Sequence, residues 1–237
     1  MCGRYVLTTN DYAAVANAFE AEYDEQDAAA YRPRFNIAPT DVSIVLRGAP
    51  GGRRRLAWAM WGLVSPRDRD KPRPPIQINA RAETVGERGM FRHAFERQRV
   101  GVVADGFYEW TGPKNDRRPI RFHRPDGRAF VFAGIAAPWT SPVTGEVLMR
   151  FAIVTTTPNG LVAPVHDRMP VVLDDRDIAG WIGEVPTDIE RDAWLDGLRG
   201  MLAPANDGVL IATPASPRVG DVRNDDPACL EAPPTLF

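Results

Sequence analysis

The stretch Val100-Gly101-Val102-Val103-Ala104-Asp105-Gly106-Phe107-Tyr108-Glu109-Trp110 decides the fold class. Its Val, Phe, Tyr and Trp content predicts strand. Working outward, Val42–Arg47, Leu56–Trp61, Ile120–His123, Ala129–Ile135, Leu148–Thr157 and Val209–Ala212 carry the same signature. Helical spacing is rarer. Asn10 or Asp11 can cap a helix that sets Tyr12, Val15, Ala16, Phe19 and Tyr23 on one face. A second candidate is Arg88–Arg99 with Phe91, Ala94 and Phe95 inward, and a third runs from about Thr187 to Leu202 with Ile189, Trp194, Leu198 and Met201 inward. Strands and helices do not alternate, which argues against a doubly wound parallel sheet. The reading is α+β: a single domain over 1–237 on a curved, mostly antiparallel β-sheet or open barrel, with a few flanking helices.

The 20 Gly and 22 Pro punctuate the chain into many short elements. Gly48–Arg55 and Ser65–Pro75 read as exposed polar loops. Residues 212–237, rich in proline, read as an irregular tail packed on the surface. The 237 residues, 44% hydrophobic and 25% charged, are those of a soluble globular protein. No apolar run approaches the ~18 residues needed to span a bilayer, and the start lacks a signal-peptide profile, so a membrane or secreted protein is not expected. Two cysteines at opposite ends, Cys2 and Cys229, with three histidines and no C-x-x-C, speak against a disulfide framework or a zinc site. No metal and no organic cofactor are expected.

A net charge of −2 conceals an asymmetry: residues 1–130 hold 22 of the 29 basic groups against 16 acidic ones, and residues 131–237 hold 7 against 15. All the cations are Arg except Lys71 and Lys114. The guanidinium fork suits phosphate contacts and base stacking, so the front half can face a polyanion, although a biased genome composition gives the same excess.

Cys2 is the most informative residue. Initiator Met is generally removed before a small second residue, and its removal here leaves a 1,2-aminothiol. An α-amine with a pKa of ~7.7–8.0 is roughly 10–15% neutral at pH 7, against under about 0.1% for a typical Lys. It can form an imine with an aldehyde, and the thiol can then close a five-membered thiazolidine. Other segments supply partners for such chemistry. In Gln77–Thr84, Asn79 and Arg81 project together if the chain is extended. Glu109 sits among three aromatics, a setting that raises a carboxyl toward proton-transfer use. His166 lies two residues from Arg168 in a loop closed by prolines. Taken singly, each has a plain alternative: a small residue at a frayed terminus, a solvent-facing strand position, and a loop histidine bonded to a carbonyl. His93 and His123 read as solvated surface residues.

Together these stretches resemble the SOS response-associated peptidase (SRAP) family, whose members act on abasic sites in single-stranded DNA. The resemblance rests on Met1-Cys2-Gly3-Arg4-Tyr5, Arg34-Phe35-Asn36-Ile37-Ala38-Pro39-Thr40, Trp61-Gly62-Leu63, Asn79–Thr84, Gly106–Trp110, Thr155-Thr156-Thr157 and His166-Asp167-Arg168-Met169-Pro170. These span residues 1 to about 173, with a weaker echo at Val219–Pro227. It implies that Cys2, freed of Met1, forms a thiazolidine crosslink with the ring-opened sugar. Asn79 would orient the amine and sugar, Glu109 would pass protons, and His166 would steer the opened sugar and help reverse the adduct. Arg4, Arg81 and Arg168 would grip phosphates, while Asn36, Pro39 and Thr155–Thr157 would line the strand's path. It further implies a DNA-associated monomer in the cell interior, with strand cleavage by imine-driven elimination and autoproteolysis at Met1 as side activities; replication or repair partners are not specified. One departure stands out. Where the family continues Trp-Gly-Leu with an apolar residue, Pro and further Trp, this chain reads Val64-Ser65-Pro66-Arg67-Asp68-Arg69-Asp70. The loss of a stacking aromatic, at ~1–3 kcal/mol per base, is implied. Pro158 also stands where Ala is common.

Two other classes remain open on the residues alone. Cys2, His166 and Asn79 are the residue types of a cysteine amidohydrolase or peptidase. A plain single-strand binding module, with Cys2 incidental, would need only the basic groups and stacking surfaces.

Overall fold

The computed structural model describes residues 2–87, 89–113, 115–187 and 189–233. Along them run β1 (Tyr5–Leu7), α1 (Tyr12–Ala18), β2 (Ala21–Glu22), α2 (Glu25–Ala29), β3 (Arg34–Ile37), β4 (Val42–Ala49), β5 (Arg53–Trp61), β6 (Leu63–Val64), β7 (Ile76–Gln77) and β8 (Asn79–Arg81). The second half adds α3 (Gly89–Arg97), β9 (Arg99–Ala104), β10 (Gly106–Thr111), β11 (Arg118–His123), β12 (Phe130–Thr140), β13 (Val147–Thr156), β14 (Met169–Pro170), α4 (Ile178–Ile182), α5 (Arg191–Gly200) and β15 (Ile211–Pro214). The fold is α+β, as the sequence predicts.

Five strands close on themselves. β5 pairs β4, β4 pairs β9, β9 pairs β12 and β12 pairs β13, all antiparallel; β13 then pairs β5 in parallel through Arg150 with Met60 and Phe151 with Trp61. The expected open barrel is therefore closed, because β13 offers its second edge to β5 and so leaves no unpaired edge in the ring. The interior is filled by side chains such as Val102, Phe132 and Ile153, all fully buried. Packing is tight enough that a Cβ at Gly134 would lie 2.8 Å from the Val102 side chain.

A second, wholly antiparallel sheet runs β15-β11-β10-β1-β3. The stretch that reads as one strand, Val100–Trp110, is shared between the two sheets and breaks at Asp105. The buried Asp105 carboxylate accepts hydrogen bonds from Thr8 N (2.5 Å) and Thr8 Oγ1 (2.7 Å), and its own N–H donates to Val6 O (2.9 Å). These bonds turn the chain out of the barrel and hand it to β1.

Gly48–Arg55 is a tight hairpin rather than a loop: β4 and β5 pair up to Ala49 and Arg53, and Gly51 and Gly52 make the turn at φ +76° and +75°. α1 is capped by the Asp11 side chain, which accepts from Ala13 N, and ends at Ala18, earlier than the apolar face through Tyr23 implies. α3 buries Phe91, Ala94 and Phe95 as expected. α5 turns Leu195 and Leu198 inward, while Ile189 precedes it and is half exposed. α4 has no counterpart in the sequence reading. Its end and that of α3 meet on the buried Arg99, which donates to Trp181 O (2.6 Å), Gly183 O (2.6 Å), Phe95 O (2.9 Å) and Glu96 O (2.6 Å) and lies over the Trp194 ring.

Past β15 the chain folds back across β3. Asp225 accepts from Arg34 Nε, Phe35 N and Asn36 N, and Asn36 Nδ2 donates to the carbonyls of Val219, Asp221 and Asn224. Among the described residues, no helix is long and apolar enough to cross a membrane.

Candidate functional site

Cys2 immediately precedes β1, and β1 is fastened on both sides. Tyr5 faces Phe107 of β10 and Ile37 of β3, and Tyr108 N donates to Arg4 O at 3.0 Å. Carried two residues back, the antiparallel register sets Gly3 opposite Glu109. Cys2 is fully buried and its thiol donates weakly to Arg4 O at 3.8 Å. Burial, and then the neighbouring Glu109 charge, push this thiol far above its ordinary pKa.

Asn79 reaches the same point from the barrel. Its strand runs parallel to β13 with Asn79 beside Ile153, and the preceding residue is anchored twice, Ile78 O accepting from Trp61 Nε1 (2.8 Å) and from Ile153 N (3.0 Å). Asn79 Nδ2 then donates to Cys2 O at 3.0 Å. Because a carbonyl can only accept, this bond fixes the amide orientation and leaves Oδ1 as an unpaired, buried acceptor.

Glu109 lies on β10 and is 3% exposed. Burial raises its carboxyl above the usual carboxylate range. His166 closes a turn in which its N–H donates to Val162 O (3.0 Å) and its Nδ1 accepts from Arg168 N (3.0 Å). Nδ1 also lies 3.0 Å from the exposed Asp167 carboxylate. A ring nitrogen that accepts a fixed amide proton has none to give, so the amide bond assigns the ring proton to Nε2. Cys2, Asn79, Glu109 and His166, drawn from four separate segments, thus form one cluster.

The residues expected along a DNA strand divide. Arg4 is half-buried, donates through Nη1 to Gly3 O (2.9 Å), and has its guanidinium pKa lowered by burial. Arg81 is exposed at the end of β8. Arg168 is mostly buried, with three of its bonds spent on Glu83 and Thr155. Pro39 is half-buried in a loop tied to Trp61 through Thr40 N (2.8 Å to Trp61 O) and Asp41 O (2.9 Å from Trp61 N). Thr155 and Thr156 are buried at the end of β13, beside Pro170 and Met169. Asn36 is fully buried and its Nδ2 donates to the three tail carbonyls, so it holds the tail, while its Oδ1 is left without a partner. Buried polar atoms left without partners include Arg4 Nε, Asn79 Oδ1 and Arg168 Nε. Each costs ~1–3 kcal/mol unmet, a cost that a bound polar ligand removes. Among the described residues, no group of three or more His, Cys, Asp or Glu is placed to hold a metal ion.

A sequence profile of the SOS response associated peptidase (SRAP) family matches residues 1–222. The chain belongs to the SRAP family. Abasic site processing protein YoqW of Bacillus subtilis is 32% identical over 234 residues, covering 98% of this chain and 100% of that one. Abasic site processing protein HMCES of Xenopus tropicalis is 29% identical, covering 87% of this chain and 68% of its own length. A crystal structure of a protein from Bacteroides thetaiotaomicron superposes with a TM-score of 0.81 at 21% identity, covering 98% of this chain and 100% of the other, and so shares the fold.

Two features of this SRAP chain escape its sequence. Glu83 binds Arg168, which only its place two residues after Arg81 hints at. In the Ser65–Pro75 segment, Arg69 O accepts from Trp139 Nε1 (2.9 Å), and that indole lies under the Arg150 guanidinium. An aromatic from β12 thus fastens the loop.

Proposed function

We propose that this SRAP protein senses abasic sites in single-stranded DNA and, after loss of Met1, crosslinks itself to them through Cys2. The observation that carries the reading is the Asn79 bond to the Cys2 carbonyl, which fixes the residue bearing the amine beside a raised, buried carboxyl. The Cys2 amine adds to C1′ of the open-chain sugar. The adduct's N–H proton moves to the oxygen. Glu109, protonated, then gives its proton to the departing hydroxyl, and water leaves. The carboxylate takes back the remaining N–H proton as the iminium becomes the imine. Cys2 Sγ then adds to the imine carbon and its proton passes to the nitrogen, closing the thiazolidine with one water released overall. His166 Nε2–H steers a sugar hydroxyl, and Arg4, Arg81 and Arg168 hold flanking phosphates. The protein works as a single chain associated with DNA. The names of its relatives as abasic site processing proteins support the substrate.

A cysteine hydrolase fits less well. Such an enzyme needs a thiolate beside an imidazolium, whereas this thiol is raised by burial and bonded to a carbonyl, and His166 Nδ1 is occupied.

Mass spectrometry of the Met1-free protein after incubation with abasic single-stranded oligonucleotide tests the reading. The N-terminal peptide is expected to gain the mass of the oligonucleotide less one water. Cys2→Ala, which keeps the amine, should give only a borohydride-trappable imine. An unmodified wild-type terminus, or a heat-stable adduct in Cys2→Ala, would refute it.

A further inference from the structure

The Arg168 guanidinium is already paired within the chain. Nη1 donates to Glu83 Oε1 at 2.5 Å and Nη2 to Oε2 at 2.9 Å, fork to fork, and Nη2 also donates to Thr155 O at 2.5 Å. The two partners differ in freedom: the arginine side chain is 14% exposed and the carboxylate side chain 48%. The cation belongs to the wall and the carboxylate can leave.

The surroundings are those of a phosphate seat. Thr155 O accepts from both Arg168 Nη2 and Ala82 N (2.8 Å), which fixes the backbone on either side of the ion pair. Arg81 precedes Glu83 by two residues, and its charge acts on the same carboxylate, which the Arg168 hydrogen bond holds below its ordinary pKa and so ionised at neutral pH. On β8, Arg81 stands about 7 Å from Asn79, the amide that holds Cys2. A carboxylate and a phosphodiester offer the same two-oxygen edge to a guanidinium. A strand phosphate that takes the same Nη1/Nη2 edge of Arg168 must therefore displace Glu83.

We propose that Glu83 is a built-in phosphate surrogate, which occupies the seat between Arg81 and Arg168 until a DNA phosphate displaces it and so sets the threshold for loading a strand. The inference rests on the reading of this site as one for single-stranded DNA. Its effect is to weaken reversible binding to undamaged strands, while a lesion, once captured covalently, no longer depends on that binding.

The test is the affinity of Met1-free protein for a short undamaged oligo(dT) across a range of salt concentrations. Glu83→Gln keeps the shape and removes the charge. It should tighten binding ~3- to 10-fold at moderate salt without flattening the plot of log K against log salt, because the same phosphate is seated in both proteins and only the competing carboxylate is gone. Glu83→Asp keeps the charge on a shorter arm that cannot span the fork as well, and should tighten binding less than Glu83→Gln. Wild-type binding that neither variant strengthens, or that Glu83→Gln weakens, overturns the inference alone, since Glu83 would then be an anchor positioning Arg168. No binding by wild type or either variant would refute the DNA reading, and this inference with it.

Discussion

Replacing Asn79 by Ala removes the hydrogen bond from Nδ2 to the Cys2 carbonyl. That bond is 3.0 Å long and partly buried, so its loss forfeits ~1 kcal/mol, and a buried carbonyl left unpaired adds ~1–2 kcal/mol. The total of ~2–3 kcal/mol falls on the placement of the Cys2 amine, and corresponds to a crosslinking rate roughly 30- to 150-fold slower. The assay is single-turnover adduct formation with saturating abasic oligonucleotide, resolved on a denaturing gel, with reversible binding measured separately by anisotropy. Asn79→Asp sharpens the test. It puts an oxygen where Nδ2 stood, repels the carbonyl, and should be slower than Asn79→Ala. A rate for Asn79→Ala within about threefold of wild type would refute the positioning argument. A faster Asn79→Asp would transfer the role to Oδ1.

Glu109→Gln tests the buried carboxyl through stability. Burial raises the folded-state pKa above the ordinary 4.5, so stability is fully present below the unfolded value and is lost as pH rises through the folded one. Glu109→Gln should melt above wild type at neutral pH, with the gap closing toward pH 4; a pH-independent gap would reject the cause. Arg99→Met strips four carbonyls of a charged donor and should cost ~3–5 kcal/mol in urea unfolding. A loss under about 1 kcal/mol would mean that water substitutes freely. Both cysteines are fully buried, with their thiol pKa raised by that burial. The folded chain that retains Met1 should resist iodoacetamide at pH 8 and take up two equivalents in denaturant. Rapid labelling of Cys2 in the folded chain would contradict the packing.

The strands were legible because β-branched and aromatic residues concentrate where two faces are buried, as in Val100–Ala104 and Phe130–Ile135, both buried throughout. The helix carrying Phe91, Ala94 and Phe95 was legible for the corresponding reason at period 3.6. What sequence could not reveal depends on distant pairings. Closure of the barrel needs Phe151 beside Trp61, and the break at Asp105 is made by Thr8, 97 residues away. The five-residue α4 is too short to show a period. At the candidate site, Cys2, Asn79, Glu109 and His166 stand out in the sequence by chemistry and motif, and the fold brings them together. The occupation of Arg168 by Glu83 and of Asn36 by the tail was not legible, because neither an Arg nor an Asn reveals which acceptor it has met.

The clasp of Asp225 on Phe35 spans 190 residues and supports the strand that flanks β1. During synthesis the amino terminus therefore leaves the ribosome long before the chain that braces it has been made. A nascent or prematurely terminated polypeptide ending upstream of Val219 carries Cys2 but lacks that brace. Folding of the candidate site therefore waits on residues 219–225, and a chain cut short of them should keep Cys2 without the strand support that places it.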